Sequence, residues 1–290
     1  MTLKEIIEAK DRALISAPLS FNAAVNAAQR QLLQQALQLV GQLEYSEGLL
    51  VLSETNYARI GQIIEAMRGT LSRGEYASAV VGLATNMALQ ASLTRDYFDA
   101  VFGDAFSDKA LYQMAFKKAQ QNALLSLTSE GIDANFLNIF RDQLTDATSA
   151  TMSRGQLEST VRLFIEGDAK RLGRLRGYTG QIADDIFSII DRSYTKIISE
   201  DLDVQFYLYS GGIIDDSRPF CVTRHNKYYH RMEVAAWGSL ADWTGKIAGT
   251  NQSTIFIYAG GYRCRHSILP VAISSVPEAV IRRAERLGFM

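Results

Sequence analysis

The spacing of proline constrains this chain of 290 residues more than any other feature. After Pro18 the next proline is Pro219, and Pro270 and Pro277 complete the set. Proline removes a backbone hydrogen-bond donor and interrupts helices, so residues 19–218 are free to form long ones. We therefore expect the first two thirds of the chain to consist of several long helices.

A segment within this region predicts a helix with an uncharged polar face. Apolar residues recur at spacings of three and four over residues 21–43, and glutamines fill the other side, including Gln31, Gln35, Gln38 and Gln42. A solvated helix usually carries glutamate and lysine there. One interpretation is a surface that packs on another subunit or partner, and the other is an exposed face rich in amides. We treat the four glutamines as a candidate partner-binding surface and expect a homo-oligomer.

Two further helices follow from the same period. One opens with a capping-box spacing from Ser153 to Gln156, and the other covers residues 179–200 with Thr179 as its expected N-cap. The segment before Pro18 predicts a short amphipathic helix. It has the features of neither a signal peptide nor a membrane span, so we expect a protein made in a reducing cytoplasm with no membrane partner.

A small basic cluster precedes the helix over 179–200. Its members are Lys170, Arg171, Arg174 and Arg176. Such a cluster can hold a phosphate backbone, but a solvated helix end is its commoner fate. With 30 basic and 31 acidic residues the whole chain has a net charge of −1, so any contact with DNA would depend on this local patch.

The hydrophobic period changes after residue 203. The segments VQFYLYSGG and TIFIYAGGY predict two strands, MEVAAWGSLADW between them predicts a short helix, and VPEAVIRRAERLGF predicts a C-terminal helix. We therefore expect an α+β protein. Residues 1–177 would form a helical assembly region, and residues 178–290 would form a small α+β domain with a short sheet, preceded by the long helix over 179–200.

All the cysteines and histidines lie within the last part of the chain, between residues 221 and 266. Cys221, His225, Cys264 and His266 make up the ligand set of a closed tetrahedral zinc site. The spacing is not that of a standard zinc finger, so two interpretations stay open: a zinc site, or small buried thiols beside hydrogen-bonded histidines. A disulfide between the cysteines would not persist in the cytoplasm. No cofactor other than zinc is suggested.

The same residues carry a family resemblance. The segments YSGGIIDDSRPFC and GGYRCRHSILPV resemble the C-terminal domain of the Mu F-like minor head (head morphogenesis) proteins of tailed bacteriophages. That pattern has an aromatic strand ending in glycine, an aspartate before Arg-x-x-His, and a closing Gly-x-x-Cys-Arg-Cys before a proline. The resemblance covers about residues 178–272. The matching positions are Tyr209, Gly211, Asp215 or Asp216, Arg218, Gly261, Cys264, Arg265 and Pro270.

One departure from this pattern is informative. Cys221 stands where the family has histidine, and His266 stands where it has the final cysteine. Thiolate and imidazole can replace each other as ligands or compact polar partners, so the exchange predicts that Cys221, Cys264 and His266 meet in the fold. We also expect Asp216 and Arg218, which share one extended turn, to belong to the same structural cluster, with Arg218 reaching a carboxylate or backbone carbonyls and holding this turn against the sheet.

The resemblance implies a structural function. Proteins of this family are minor capsid components of the virion, associated with the portal, and they act in head assembly or in DNA packaging and delivery. The implied partners are the portal and other head proteins, and no catalytic activity is implied. The alternative is a metal-dependent nuclease or hydrolase that uses Asp216, His225 and His230, with Asn226 nearby. These residues have no recognised catalytic spacing, and we do not expect an enzyme.

Overall fold

A computed structural model describes all 290 residues and confirms the α+β class, with long helices and a small antiparallel sheet near the C-terminus. None of the helices combines the length and the apolar composition that crossing a bilayer requires. The helices are α1 (Leu3–Val40), α2 (Glu54–Arg73), α3 (Glu75–Phe102), α4 (Ala110–Leu127), α5 (Ser129–Ile132), α6 (Asn138–Ser149), α7 (Arg154–Ile165), α8 (Arg174–Asp201), α9 (Pro219–Arg224), α10 (Arg231–Trp237), α11 (Ile255–Tyr258) and α12 (Glu278–Arg286).

The strands form two antiparallel sheets. A two-residue hairpin pairs β1 with β2, and a three-stranded sheet has the order β4-β3-β5. Pro270 lies in β5 and has no backbone N–H to donate. Because β5 is an edge strand, this costs no hydrogen bond between inner strands. The strands are β1 (Tyr45–Ser46), β2 (Leu49–Leu50), β3 (Phe206–Ser210), β4 (Lys227–His230) and β5 (Ser267–Val271).

The contacts divide the chain into two compact units that are discontinuous in sequence. The first comprises Met1–Ser16, Asn86–Gln120 and Asp184–Met290, and the second comprises Ala17–Thr85 and Gln121–Ala183. The sequence predicted a boundary between residues 177 and 178. The two units instead divide α8 between Ala183 and Asp184, and the first unit also includes two earlier segments. Long helices contribute to both units because residues 19–218 contain no proline to end them.

Three local predictions are wrong. The first helix does not stop before Pro18 but continues through it as α1. Thr179 is not an N-cap: α8 begins at Arg174, and the buried Thr179 hydroxyl donates to the carbonyl of Leu175 at 2.8 Å. The strand expected over TIFIYAGGY is the short helix α11. A short apolar run does not separate strand from helix by pattern alone, and the third strand is β5 instead.

Other local predictions are confirmed. Ser153 caps α7, and the side chain of Gln156 accepts from the Ser153 backbone N–H, which completes the capping box. In the second unit the apolar stripe of α1 is buried, as Val25, Leu32 and Ala36 show. In the first unit the Lys10 ammonium donates to Asp191 at 2.7 Å, and both groups are buried. Removing one partner of such a buried pair would leave an uncompensated charge in the core, which is strongly destabilising.

The three-stranded sheet has two faces with different coverings. Tyr207 and Tyr209 of β3 belong to a cluster that includes Val234 and Ile268. Phe206 points to the opposite side of the strand. It packs with residues near the C-terminus, such as Val276 and, in α12, Ala284. We call these the tyrosine face and the phenylalanine face. The alternation follows from the two-residue period of a strand, and it sends consecutive β3 side chains into separate cores.

Candidate functional site

The tyrosine face carries the first cysteine on a short helix. Pro219 occupies the first position of α9, where its missing N–H is not needed, and Arg218 before it is extended, with φ −64° and ψ 147°. This start fixes the direction of α9. Cys221, one turn in, lies in the core of the tyrosine face and is only 3% exposed.

The second cysteine and one histidine lie in the segment that leads into β5. Two turns, 258–261 and 261–264, precede it, and Arg263 adopts a left-handed conformation with φ +55°. Alternate residues of an extended chain project to the same side, so Cys264 and His266 can face one point although a single residue separates them. Both side chains are buried.

These three side chains meet, which confirms the prediction made from the exchanged residues. The sulfurs of Cys221 and Cys264 are 3.9 Å apart, and the Cys264 sulfur is 3.9 Å from Nδ1 of His266. All three donor atoms lie within 4.8 Å of one another. We call Cys221, Cys264 and His266 the thiol–imidazole cluster.

Tyr209 forms one wall of the cluster. Its ring stacks on the His266 ring with centroids 4.9 Å apart and planes 16° apart. Its hydroxyl donates to the Cys221 sulfur at 3.4 Å and lies 3.8 Å from the Cys264 sulfur. Burial raises the pKa of Tyr209 well above its usual range, so the hydroxyl stays protonated and can donate.

Gly260 lies against both sulfurs, and its lack of a side chain makes room for them. A Cβ at this position would lie 2.4 Å from the Cys221 sulfur and 2.8 Å from the Cys264 sulfur. Its carbonyl accepts from the indole of Trp243 at 3.1 Å and from Nη1 of Arg218 at 3.3 Å. A glycine is therefore required where this loop passes the cluster.

Two arginines hold the loop that carries Cys264. Nη2 of Arg218 donates to the carbonyl of Tyr262 at 2.6 Å, so the expectation that Arg218 reaches backbone carbonyls is confirmed. The buried Arg192 of α8 donates to the carbonyl of Cys264 and, at 3.3 Å, to that of Ile257. Asp216, which we expected in the same cluster, is exposed and is not part of the thiol–imidazole cluster.

The two thiols have opposite electrostatic environments. The hydrogen bond with Cys264, together with burial, raises the pKa of Cys221. The hydrogen bond from Cys221 lowers the pKa of Cys264 well below its usual range, assisted by His266 and Arg192 and opposed by burial. The two shifts are opposite because the hydrogen bond between the sulfurs favours the neutral form of Cys221 and the charged form of Cys264.

The other histidines differ in their relation to the cluster. The His225 ring is nearly perpendicular to that of His266, with centroids 5.7 Å apart, and its Nδ1 is buried without a hydrogen-bond partner. His230 packs on the phenylalanine face, 5.2 Å from the ring of Phe206 and 5.3 Å from that of Phe289. Its Nδ1 accepts from the backbone N–H of Met232 and caps α10.

No protein-family model, curated protein or solved structure matches this chain. The chemistry of the site therefore follows from its residues. Two thiols and an imidazole in a buried pocket suit a borderline metal ion such as zinc, or a compact polar core. The three residues make the one group in the chain where at least three His, Cys, Asp or Glu side chains converge in this way.

The two other candidate surfaces lie in the second unit. Gln31 and Gln38 are exposed on α1, but Gln35 is half-buried and its side chain accepts from the Thr70 hydroxyl at 2.8 Å, while Gln42 follows the end of the helix. In the basic cluster, Arg171 pairs with Asp168 at 3.6 Å and Arg174 donates to the carbonyl of Asn135 at 2.9 Å. Both surfaces are thus smaller than the sequence suggested.

Sequence reasoning missed two supports of the cluster. Arg192 lies within the helical pattern of α8, where one arginine on an amphipathic helix gives no signal of a buried role. Trp243 is the last residue of the segment predicted as a short helix, but α10 ends at Trp237, and the stacking of Trp243 on Phe220, with centroids 4.4 Å apart, depends on contacts distant in sequence. For the loop before Cys264, the paired glycines at 260 and 261 predicted a turn but gave no indication of these supports.

Proposed function

We propose that this chain is a structural component of a phage virion, of the minor head type, associated with the portal and acting in head assembly or in DNA packaging and delivery. The observation that supports the proposal most is the convergence of the two segments that carry the resemblance. Tyr209 and Arg218 of the first segment contact Gly260, Tyr262 and Cys264 of the second. Strand β3 also pairs with β5 along five residues, from Phe206 to Ser210.

This convergence matters because short sequence similarities that arise by chance have no reason to pack together. Here Tyr209 of the aromatic strand, Phe220 and Cys221 after the Asp-x-Arg turn, and Cys264 of the Cys-Arg segment share one core with Trp237. A motif set that assembles into a single folded unit supports a common architecture with the family that it resembles. The functional assignment then follows by analogy with that family.

The arrangement of the remaining polar residues favours a structural function over the hydrolase alternative. Asp216 is exposed, His225 is half-buried beside the His266 ring, and His230 packs on the phenylalanine face. These three side chains do not form a group that could share one metal ion. A general base must be within reach of the group that it activates, and the proposed trio offers no common centre.

The glutamine face of α1 is the proposed docking surface, now limited to its exposed members Gln31, Gln34 and Gln38. They follow one another at spacings of three and four, so they share a stripe along the helix. An amide stripe can be buried in an interface by pairing with polar groups, whereas a carboxylate at the same place would lose its hydration without a matching cation.

Co-purification with the portal protein of the same genome tests the proposal. We expect the wild-type chain to elute with portal rings, and we expect Gln31→Glu/Gln38→Glu to weaken that association while leaving thermal unfolding unchanged. A matched double variant, Gln121→Glu/Asn122→Asp, adds two charges on exposed positions of α4 and should still bind. The structural assignment would be overturned if the chain does not bind the portal protein and instead cleaves DNA in the presence of a divalent metal, provided that His225→Ala abolishes the cleavage.

A further inference from the structure

The thiol–imidazole cluster has a donor set with a specific chemical preference. Two cysteine sulfurs and a histidine nitrogen are soft or borderline ligands, and they select zinc over the hard cations calcium and magnesium. The three residues are at most 4% exposed, so water does not compete freely for the donors. This donor set does not depend on the virion assignment.

The spacing of the donor atoms fits one tetrahedral ion. Zinc–sulfur bonds of about 2.3 Å and zinc–nitrogen bonds of about 2.0 Å place ligand atoms roughly 3.5 to 3.8 Å apart along the edges of a tetrahedron. In the structure, 3.9 Å separates the two sulfurs and 3.9 Å separates the Cys264 sulfur from His266 Nδ1. The third pair, the Cys221 sulfur and the His266 nitrogen, lies within 4.8 Å, so closing all three edges around one ion takes side-chain shifts of up to about 1 Å.

The surrounding residues hold these donors in place. Arg192 and Arg218 bind the carbonyls of the loop that carries Cys264, and the Tyr209 ring supports the ring of His266. Gly260 keeps the space beside both sulfurs free of a side chain. A site whose ligands are fixed by a surrounding hydrogen-bond network needs little reorganisation to bind its ion.

His225 is the remaining histidine beside the cluster, but its nitrogens are not within 4.8 Å of all three donor atoms, so its side chain has to turn toward them to supply a fourth ligand. Its Nδ1 is buried without a hydrogen-bond partner, and its ring centroid lies 5.7 Å from that of His266 at an interplanar angle of 84°. Two imidazoles on one tetrahedral ion have centroids separated by roughly this distance, about 5 to 6 Å, given zinc–nitrogen bonds of about 2.0 Å. We propose that Cys221, Cys264 and His266 bind a structural Zn²⁺ ion and that His225 completes its coordination.

The wild-type chain provides the first test. Purified under reducing conditions and passed through a metal-free column, it should retain one zinc ion per chain by mass spectrometry of the metal. Replacement of zinc by Co²⁺ should give the strong visible absorption of tetrahedral cobalt and a thiolate-to-cobalt charge-transfer band. The site would be overturned if the chain has two free thiols and takes up neither ion. It would also be overturned if the intact mass of the denatured protein is two hydrogens too low, because the thiols would then form a disulfide.

Matched histidine variants provide the second test. His266→Asn should lose the bound zinc, whereas His230→Asn should retain it, because His230 is equally buried but packs on the phenylalanine face and asparagine still caps a helix. His225→Asn should release zinc to a chelator faster than the wild type and change the cobalt spectrum. If His225→Asn keeps the wild-type spectrum, the fourth-ligand assignment is wrong, and if His230→Asn loses zinc as readily as His266→Asn, the whole site is wrong.

Discussion

The two faces of the C-terminal sheet bury aromatic side chains to a similar extent but differ in what surrounds their histidines. On the tyrosine face, His266 lies beside two sulfurs and a tyrosine hydroxyl. On the phenylalanine face, His230 lies near two phenylalanine rings and caps a helix. Burial and residue type are nearly the same, so neither marks a site. The convergence of several donor atoms distinguishes the two, and the predictions below test that distinction.

The phenylalanine face should act as a plain hydrophobic core. Phe206 is 1% exposed and packs against Val271 and Ala284. Phe206→Ala should lower the free energy of unfolding by roughly 3 to 5 kcal/mol, from lost burial and the cavity left behind. Urea denaturation measures this loss, and Leu208→Ala on the same face, where Leu208 is only partly buried, should lose less. Zinc content of the folded fraction should not change, and a loss below 1 kcal/mol would show that this face is not packed as described.

The tyrosine face should be sensitive to added volume instead. In Gly260→Ala the new Cβ would overlap both sulfurs, so we expect a loss of roughly 1 to 3 kcal/mol together with weaker zinc binding. Gly212→Ala is the control, because a Cβ there has no neighbour within 4 Å. Equal stability of the two variants in a thermal melt would mean that the loop can move away from the cluster.

The support of the Cys264 loop should depend on the guanidinium of Arg218. Lysine cannot donate to the carbonyls of Gly260 and Tyr262 at once, so Arg218→Lys should lose about 1 kcal/mol, the usual value of a partly exposed hydrogen bond. Arg265→Lys, at an exposed position nearby, should have the melting temperature of the wild type. If both variants melt alike, the fork geometry of Arg218 does not matter.

The smallest expected effect is a pH dependence on the phenylalanine face. Burial lowers the pKa of His230 below its ordinary value of 6.5, with Arg231 lowering it further and Glu233 opposing. Below pH 6.5 the unfolded chain then binds more protons at this position than the folded chain, so stability falls as the pH falls. Unfolding followed between pH 7 and pH 5 should show a shallower loss for His230→Asn. A steeper loss for the variant would reverse the sign of the inferred shift.

The sequence predicted the parts of this fold that depend on local pattern. The period of three and four identified long helices, and the spacing from Ser153 to Gln156 identified a real capping box. It failed at Thr179, which lies inside α8 because that helix begins at Arg174, and over residues 254–262, where tertiary packing decides between helix and strand for a short apolar run. Domain boundaries could not be found from local pattern, because long helices such as α8 contribute to both units.

The cluster was predicted to a similar degree. The exchange of cysteine and histidine between the two segments identified Cys221, Cys264 and His266 as neighbours, and Arg218 was assigned its partners by its side-chain geometry. Arg192 and the orientation of His225 were beyond reach, because their roles depend on contacts between residues far apart in sequence. Likewise, nothing in the sequence separates the buried His230 from the buried His266.

A crystal of the reduced, zinc-equilibrated chain, measured on both sides of the zinc absorption edge, tests the difference between the two faces most directly. We expect an anomalous peak within bonding distance of the Cys221 and Cys264 sulfurs and of His266 Nδ1, and none near His230. A map without a peak at the cluster, with the thiols free or joined to each other, would contradict it.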